Sequence, residues 1–250
     1  MSIEDFSFAA QAPAFQNHIS RSIPGYDDLL DQCRALSRRF VRTETRVIDI
    51  GCSTGHFIAG LAEHNVKRSD VSFIGLDIES RFGETWKGFS LPNLRFLIED
   101  IRYFSGYSES SLVSSFFTLQ FLREGDRLPL LRRINDGLIE GGALIIAEKI
   151  LANTSRLQDA LTFPYYDFKI ANGFTAEEVL NKERMLRGQM TTWKQVELEK
   201  ALLVAGFPEV QLIWCNFPFV AFLAIKRSVP VEIEFHHAHQ RLLKPDNALR

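Results

Sequence analysis

Apolar positions along this 250-residue chain follow two alternating patterns. Between Gly25 and about Val41, the residues Leu29, Leu30, Cys33, Leu36 and Phe40 return at intervals of three and four, which predicts a helix with one apolar face. Short continuous apolar runs then alternate with helical stretches. "RVIDI" predicts a buried strand, and "HFIAGLAEHN" a helix starting near His56. "VSFIGLDI", "LRFLIED" and the start of "SLVSSFFTLQFL" predict the next three strands, followed by a helix through Leu130, Leu131, Ile134 and Leu138. "GGALIIAEK" predicts a fifth strand entered through a Gly-Gly turn. Strands apolar on both faces belong to a mostly parallel sheet covered by helices on both sides, an α/β fold. "VQLIWC" and "FVAFLAIK", joined by the short "NFP", predict a closing hairpin and so an antiparallel last strand.

Residues 155–205 break this rhythm. They are helical in pattern but contain "FPYYDFKIANGFT", too aromatic and too glycine-punctuated for a simple crossover. We read a helical insertion at about 152–190, packed beside the C-terminal edge of the sheet. "TTWKQVELEKALLVAGF" then forms a helix with Gly206 as its C-cap. The predicted organisation is a partly irregular N-terminal arm (1–24), one large domain (25–226) and a polar tail (227–250).

Composition narrows the function classes. The chain is 46% hydrophobic and 24% charged, ordinary for a globular protein able to bury a core without staples. A formal charge of −2 supplies no basic field for nucleic acid or an anionic membrane. Arg34, Arg38, Arg39 and Arg42 form the one basic cluster and read as a solvated helix face. No apolar run reaches bilayer length, and the N-terminus lacks the basic-then-apolar order of a signal peptide. Cys33, Cys52 and Cys215 are odd in number and far apart, as expected of reduced thiols in a cytoplasmic protein. His236, His237 and His239 have no cysteine or acid at ligand spacing, so no metal site is expected.

The candidate chemistry begins at "VIDIGCSTG" (47–55), where a strand runs into a loop of small residues. Such a loop lets a backbone approach a ligand, and the helix after it adds free N–H groups. It matches neither G-x-G-x-x-G nor a Walker A loop, which sets dinucleotide and nucleoside triphosphate binding aside. It does match D-x-G-x-x-x-G, as Asp49, Gly51 and Gly55, with a further acid ending each of the next two strands: Asp77 and Asp100. A carboxylate accepts two hydroxyl donors at once, so Asp77 suits a ribose diol. Asp100 suits an exocyclic adenine amine. Cys52, near a helix N-terminus, is a candidate for a lowered pKa, although a packing role is the simpler reading.

This ordered series resembles the class I S-adenosylmethionine (SAM) methyltransferases, whose sheet is Rossmann-like. "RSIPGYDDLL", "DIGCSTG", "FTLQFL", "GGALIIAEK" and "DFKIANGFTAEEVLNKERML" together resemble the carboxy-SAM synthases, over roughly residues 20–226. That family uses SAM and prephenate to make a SAM bearing an extra carboxylate, which a companion enzyme spends on tRNA wobble uridines. The resemblance implies a homodimer and a cofactor site built from Tyr26, Asp49, Gly51, Cys52, Ser53, Gly55, Asp77, Ile78, Asp100 and Ile101. It also marks departures. Phe116 stands where the family has an asparagine. Glu183, followed by Arg184, stands where the family has the arginine that pairs with the added carboxylate. Ile170 replaces a basic residue, and Tyr165–Tyr166 replaces a histidine pair.

These changes predict a pocket that is less basic, more aromatic and poorly suited to carboxy-SAM or prephenate. The leading expectation is therefore a SAM-dependent methyltransferase acting on an aromatic or keto-acid small molecule. Tyr165, Tyr166 and Lys169 would bind the acceptor, Glu183 and Arg184 would line its pocket, and Glu148 or His56 would serve as base. Retained carboxy-SAM synthesis and a non-catalytic SAM-binding dimeric partner are the alternatives.

Overall fold

The computed structural model describes residues 15–227. The chain enters through α1 (Phe15–Ser22) and α2 (Tyr26–Ser37), then alternates β1 (Arg46–Ile50), α3 (His56–His64), β2 (Ser72–Asp77), α4 (Gly83–Trp86), β3 (Leu94–Ile98) and β4 (Ser110–Phe116). It continues through α5 (Glu124–Gly137), β5 (Leu138–Lys149), α6 (Ser155–Ala171), α7 (Ala176–Leu186), α8 (Gln195–Val204), β6 (Glu209–Asn216) and β7 (Phe219–Ile225). The strands form one sheet in the order β3-β2-β1-β4-β5-β7-β6. Every neighbouring pair is parallel except those made by β7. This is the class I methyltransferase arrangement that the alternating runs predict.

The strand pleat explains why the runs are apolar throughout. Val47, Phe73, Leu112 and Ile145 face α2 and α3 on one side, packing with Leu29, Leu30, Phe57, Ile58 and Leu61. Their neighbours Ile48, Ile74, Val113 and Ile146 face α5 and α8 on the other, against Leu130, Leu131, Ile134, Leu198 and Leu202. Each strand thus feeds two cores, and the polar residues buried among them, such as Ser114 and Asp49, bond to one another.

Three boundaries differ from the sequence expectation. The helix expected over 25–41 is α2 and ends at Ser37, whose hydroxyl donates to the Arg34 carbonyl (2.6 Å); turns carry the chain on to Val41. Leu138 opens β5 instead of ending α5, and that strand runs straight through Gly141–Gly142. The glycines form a bulge, not a turn: Ser110 pairs with Leu138 but Leu112 pairs with Ala143. Gly141 has φ +69°, and a Cβ there would lie 2.9 Å from an Arg42 guanidinium nitrogen. Within the predicted arm, residues 15–22 are helical. The tail and its histidines lie outside the described residues.

The insertion appears as α6 and α7, joined at Gly173 (φ +85°) and started by a Thr175–Glu178 capping box. Tyr165 of α6 meets Phe219 at the start of β7 edge-on, with ring centroids 5.3 Å apart. This places the two helices over the C-terminal ends of β5 and its neighbours. The strand order reverses between β1 and β4, so a crevice opens there.

Candidate functional site

The crevice floor is the loop after β1. Gly51 (φ +68°) turns the chain sharply under Thr118, and a Cβ on Gly51 would lie 2.1 Å from the Thr118 hydroxyl oxygen. Gly55 (φ +81°) caps α3 with its own α-carbon against the Phe96 ring. Between them, Cys52 N–H donates to the Leu76 carbonyl (2.9 Å) and Trp86 Nε1 donates to the Ser53 carbonyl (2.7 Å). Gly51→Ala combines strained φ with a clash against the Thr118 side chain. It should cost about 2–4 kcal/mol and lower the thermal midpoint of unfolding, read by circular dichroism.

Three acids line the crevice in different states. Asp49 is buried and accepts the Ser114 hydroxyl (2.7 Å); burial pushes its carboxyl up to about 7 against that hydrogen bond. Asp77 accepts the N–H of Ser53 on one oxygen and that of Glu79 on the other, both at 2.9 Å. Burial raises its carboxyl above the usual range, while the two backbone donors oppose the shift. Each Asp77 oxygen keeps a second lone pair for a ligand hydroxyl. Asp100 is held by Arg102, whose Nε donates to both oxygens (2.9 and 3.0 Å) and whose guanidinium keeps the carboxyl below its ordinary value. Any amine that Asp100 accepts must therefore share it with this guanidinium.

Above these groups lies a cavity of about 560 Å³, within the range of small-molecule sites. Tyr26, Asp49, Gly51, Cys52, Ser53, Asp77, Ile78, Asp100, Ile101 and Phe116 all line it, as do Tyr165, Lys169 and Glu183. His56 also reaches it, bonded through Nδ1 to the Thr54 hydroxyl (2.9 Å). Four sequence candidates do not. Gly55 lies beneath the loop as a helix cap. Tyr166 stands behind Tyr165 and packs on the core. Arg184 points along α7 to the Asn181 side chain (3.3 Å). Glu148 faces away from the cavity, where its carboxylate accepts Leu119 N–H (2.8 Å) and Gln120 N–H (3.0 Å).

Glu148 therefore fastens the turn after β4 and has no access to a bound ligand from there. Burial pushes its carboxyl up to about 8, with both N–H donors and Arg127 opposing. Glu148→Ala strands two buried donors and should cost about 2–4 kcal/mol, read as a fall in denaturation midpoint. The Cys52 thiol is likewise pushed well above its ordinary value, by burial and by Asp49 and Asp77, the reverse of the helix-terminus expectation.

The far end of the cavity overturns the expectation of a weakly basic pocket. Lys149 from β5, Lys169 from α6 and Lys182 from α7 converge there around a single carboxylate, Glu183. Lys149 Nζ lies 3.6 Å from Glu183 Oε1. Lys169 and Lys149 sit over the Tyr165 ring at 4.3 and 5.2 Å from its centroid. Lys182 Nζ donates to His18 Nε2 of α1 (2.9 Å), so that imidazole nitrogen is an acceptor. Burial, with the other lysines adding to it, lowers Lys169 to about 7 and Lys182 to about 8; Glu183 opposes both shifts. Burial, with Lys182, Lys169 and Arg21, brings His18 down to about 4. Losing an arginine and gaining a glutamate thus leaves three cations against one anion.

Sequence reasoning missed Lys149 and Lys182 as pocket residues, together with Gln120, whose side chain accepts Lys149 N–H (3.1 Å) and donates to the Phe117 carbonyl (3.2 Å). It also missed α1, which crosses the cavity mouth. Phe15 meets Phe82 edge-on at 5.4 Å, and Arg21 Nε donates to the Asn172 carbonyl (2.7 Å) at the end of α6 in the insertion.

No family model matches the chain. Carboxy-S-adenosyl-L-methionine synthase of Klebsiella pneumoniae is 34% identical over 232 residues, covering 90% of this chain and 93% of that protein. The enzyme of the same name from Staphylococcus epidermidis is 29% identical over 224 residues, covering 88% and 96%. Among solved structures, a protein of Nostoc punctiforme classed as an O-methyltransferase superposes with a TM-score of 0.62 at 16% identity, over 88% of this chain and 60% of that one. Magnesium protoporphyrin IX methyltransferase of Synechocystis, solved with bound SAH, gives 0.53 at 16% identity, over 81% and 83%. The solved structures share the fold; the sequence relatives, matched along nearly their whole length, place this chain in the carboxy-S-adenosyl-L-methionine synthase family of SAM-dependent transferases.

Proposed function

We propose that this protein is a carboxy-SAM synthase that takes its carboxylate from an anionic, prephenate-like donor. The cofactor is SAM. In this reading Asp77 receives the ribose hydroxyls, Ile78 and Ile101 flank the adenine, and Asp49 lies toward the amino acid end. The Gly51–Ser53 backbone and Tyr26 line the body of the cofactor, and Phe116 stands near the sulfonium. The observation that carries the proposal is the convergence of Lys149, Lys169 and Lys182 on one cavity end. Such a cluster costs stability through repulsion and desolvation, and an anionic ligand offsets both. A neutral acceptor would leave that cost uncompensated.

Glu183 and Phe116 favour a second reading, methyl transfer to a carboxylate-bearing acceptor, because neither residue supplies the amide or guanidinium expected beside a carboxylated cofactor. The two readings differ in product. Purified protein incubated with SAM and prephenate should yield carboxy-SAM, heavier than SAM by one carboxylate in mass spectrometry. S-adenosylhomocysteine together with a methylated acid would establish the second reading instead. SAM recovered unchanged would refute the synthase proposal.

A further inference from the structure

Carboxyl transfer to a sulfonium methyl replaces one methyl hydrogen by a carboxylate. Once detached from its donor, the carboxyl group is carbon dioxide, a small uncharged molecule that no hydrogen bond retains well. A carbon dioxide molecule left free in the cavity meets no group that retains it. What the lysine end offers is an amine. Lys169 is 3% exposed, lies against the face of Tyr165, and is flanked by Lys149 and Lys182.

We propose that Lys169 captures carbon dioxide as a carbamate, held in place by the ammonium groups of Lys149 and Lys182. The amine nitrogen bonds to the carbon of carbon dioxide, one N–H proton leaves to water, and the product is Lys169 Nζ–COO⁻. The reverse step returns carbon dioxide beside the cofactor. No oxidation state changes and no other reactant is needed.

Charge selects this adduct over the other that a buried amine makes readily, an imine with a keto acid. A protonated imine keeps a positive charge among two ammonium groups. A carbamate puts a negative charge there, so that with Glu183 two anions face two cations. Charge and desolvation also keep Lys169 reactive: it lies at about 7, so much of the amine is unprotonated near neutrality. The groups facing it are Lys182 and Glu183 from α7, Lys149 from β5, Tyr165 on its own helix and His18 from α1. Of these only Glu183 opposes a carbamate, and Lys149 pairs with it.

This inference deepens the synthase reading, and its test is run without SAM so that the two can fail separately. Protein at about pH 8 is incubated with ¹³C-bicarbonate, carbamates are fixed as esters with an oxonium alkylating reagent, and peptides are read by mass spectrometry. The expected label sits on Lys169, is absent from Lys149 and Lys182, and disappears in Lys169→Arg. Lys182→Met, which keeps the amine but removes a cation, should lower occupancy on the order of tenfold. Circular dichroism of each variant confirms folding, so that an unfolded variant is replaced by Lys149→Met for the same comparison. Label on Lys169 no greater than on surface lysines, or unchanged occupancy in both cation variants, overturns the proposal. Carbamate without carboxy-SAM would uphold this inference and sink the synthase reading; carboxy-SAM without carbamate would do the opposite.

Discussion

Asp77→Ala should weaken SAM binding on the order of 100-fold, measured by titration calorimetry. The ribose diol would lose two charge-assisted hydrogen bonds, each worth about 1.5–3 kcal/mol where the site is dry. The loop would also lose its clasp, since the Asp77 oxygens receive Ser53 N–H and Glu79 N–H. Asp77→Asn should do nearly as badly, because its amide nitrogen must face one of those two donors. The comparison that isolates the ligand term is thermal stability: SAM should raise the melting temperature of the parent protein and leave that of Asp77→Ala almost unmoved. An affinity within about threefold of the parent would remove Asp77 from the site.

The second large effect is on pH. On the proposed reading an anionic donor is held by lysines that must be charged, and burial has brought Lys169 and Lys182 down to about 7 and about 8. As pH rises through those values the ammonium groups lose their protons and the site loses attraction. KM for the anionic donor should therefore rise on the order of 100-fold between about pH 6.5 and 9, roughly tenfold for each charge lost.

Glu183→Gln gives the sign test. Its carboxylate raises both lysines, so its removal moves the whole rise in KM to lower pH. At the acid end the same substitution removes a repulsive anion, and KM there should fall. A KM flat with pH in the parent protein would mean that the lysine end does not hold the donor.

The parts of the fold that were legible in sequence are those governed by neighbours along the chain. "VIDIGCSTG" fixes a buried strand, a positive-φ glycine and a helix start within nine residues, and the structure places all three there. The acid ending each of the next two strands could be counted off in the same way. What could not be read was direction. Glu148 and Lys149 are adjacent in sequence, and the strand pleat sends one to the backbone of the turn at 119–121 and the other into the cavity.

The lysine cluster was illegible for a related reason. Lys149, Lys169 and Lys182 come from a strand and two helices, and only the docking of the insertion onto Phe219 brings them together. Counting substitutions at Glu183, Ile170 and Tyr165 predicted a loss of charge, while the charge that matters had been contributed from elsewhere. The Gly-Gly bulge misled in its own way. Glycine pairs signal turns in general, but here β5 advances five residues while β4 advances two, and the Arg42 guanidinium lies where a side chain would stand.

Helix α1 ties the two ends of the cavity together. It is tied to the nucleotide side of the cavity through Phe15 and Phe82, and to the insertion through His18 on Lys182 and Arg21 on the Asn172 carbonyl. A ligand in the nucleotide part of the cavity therefore lies beneath a helix fastened at both ends. Of those ties, the one to Lys182 touches the donor's own cluster. On the proposed reading, an anion at the lysine end and the seating of α1 are thus linked through one hydrogen bond.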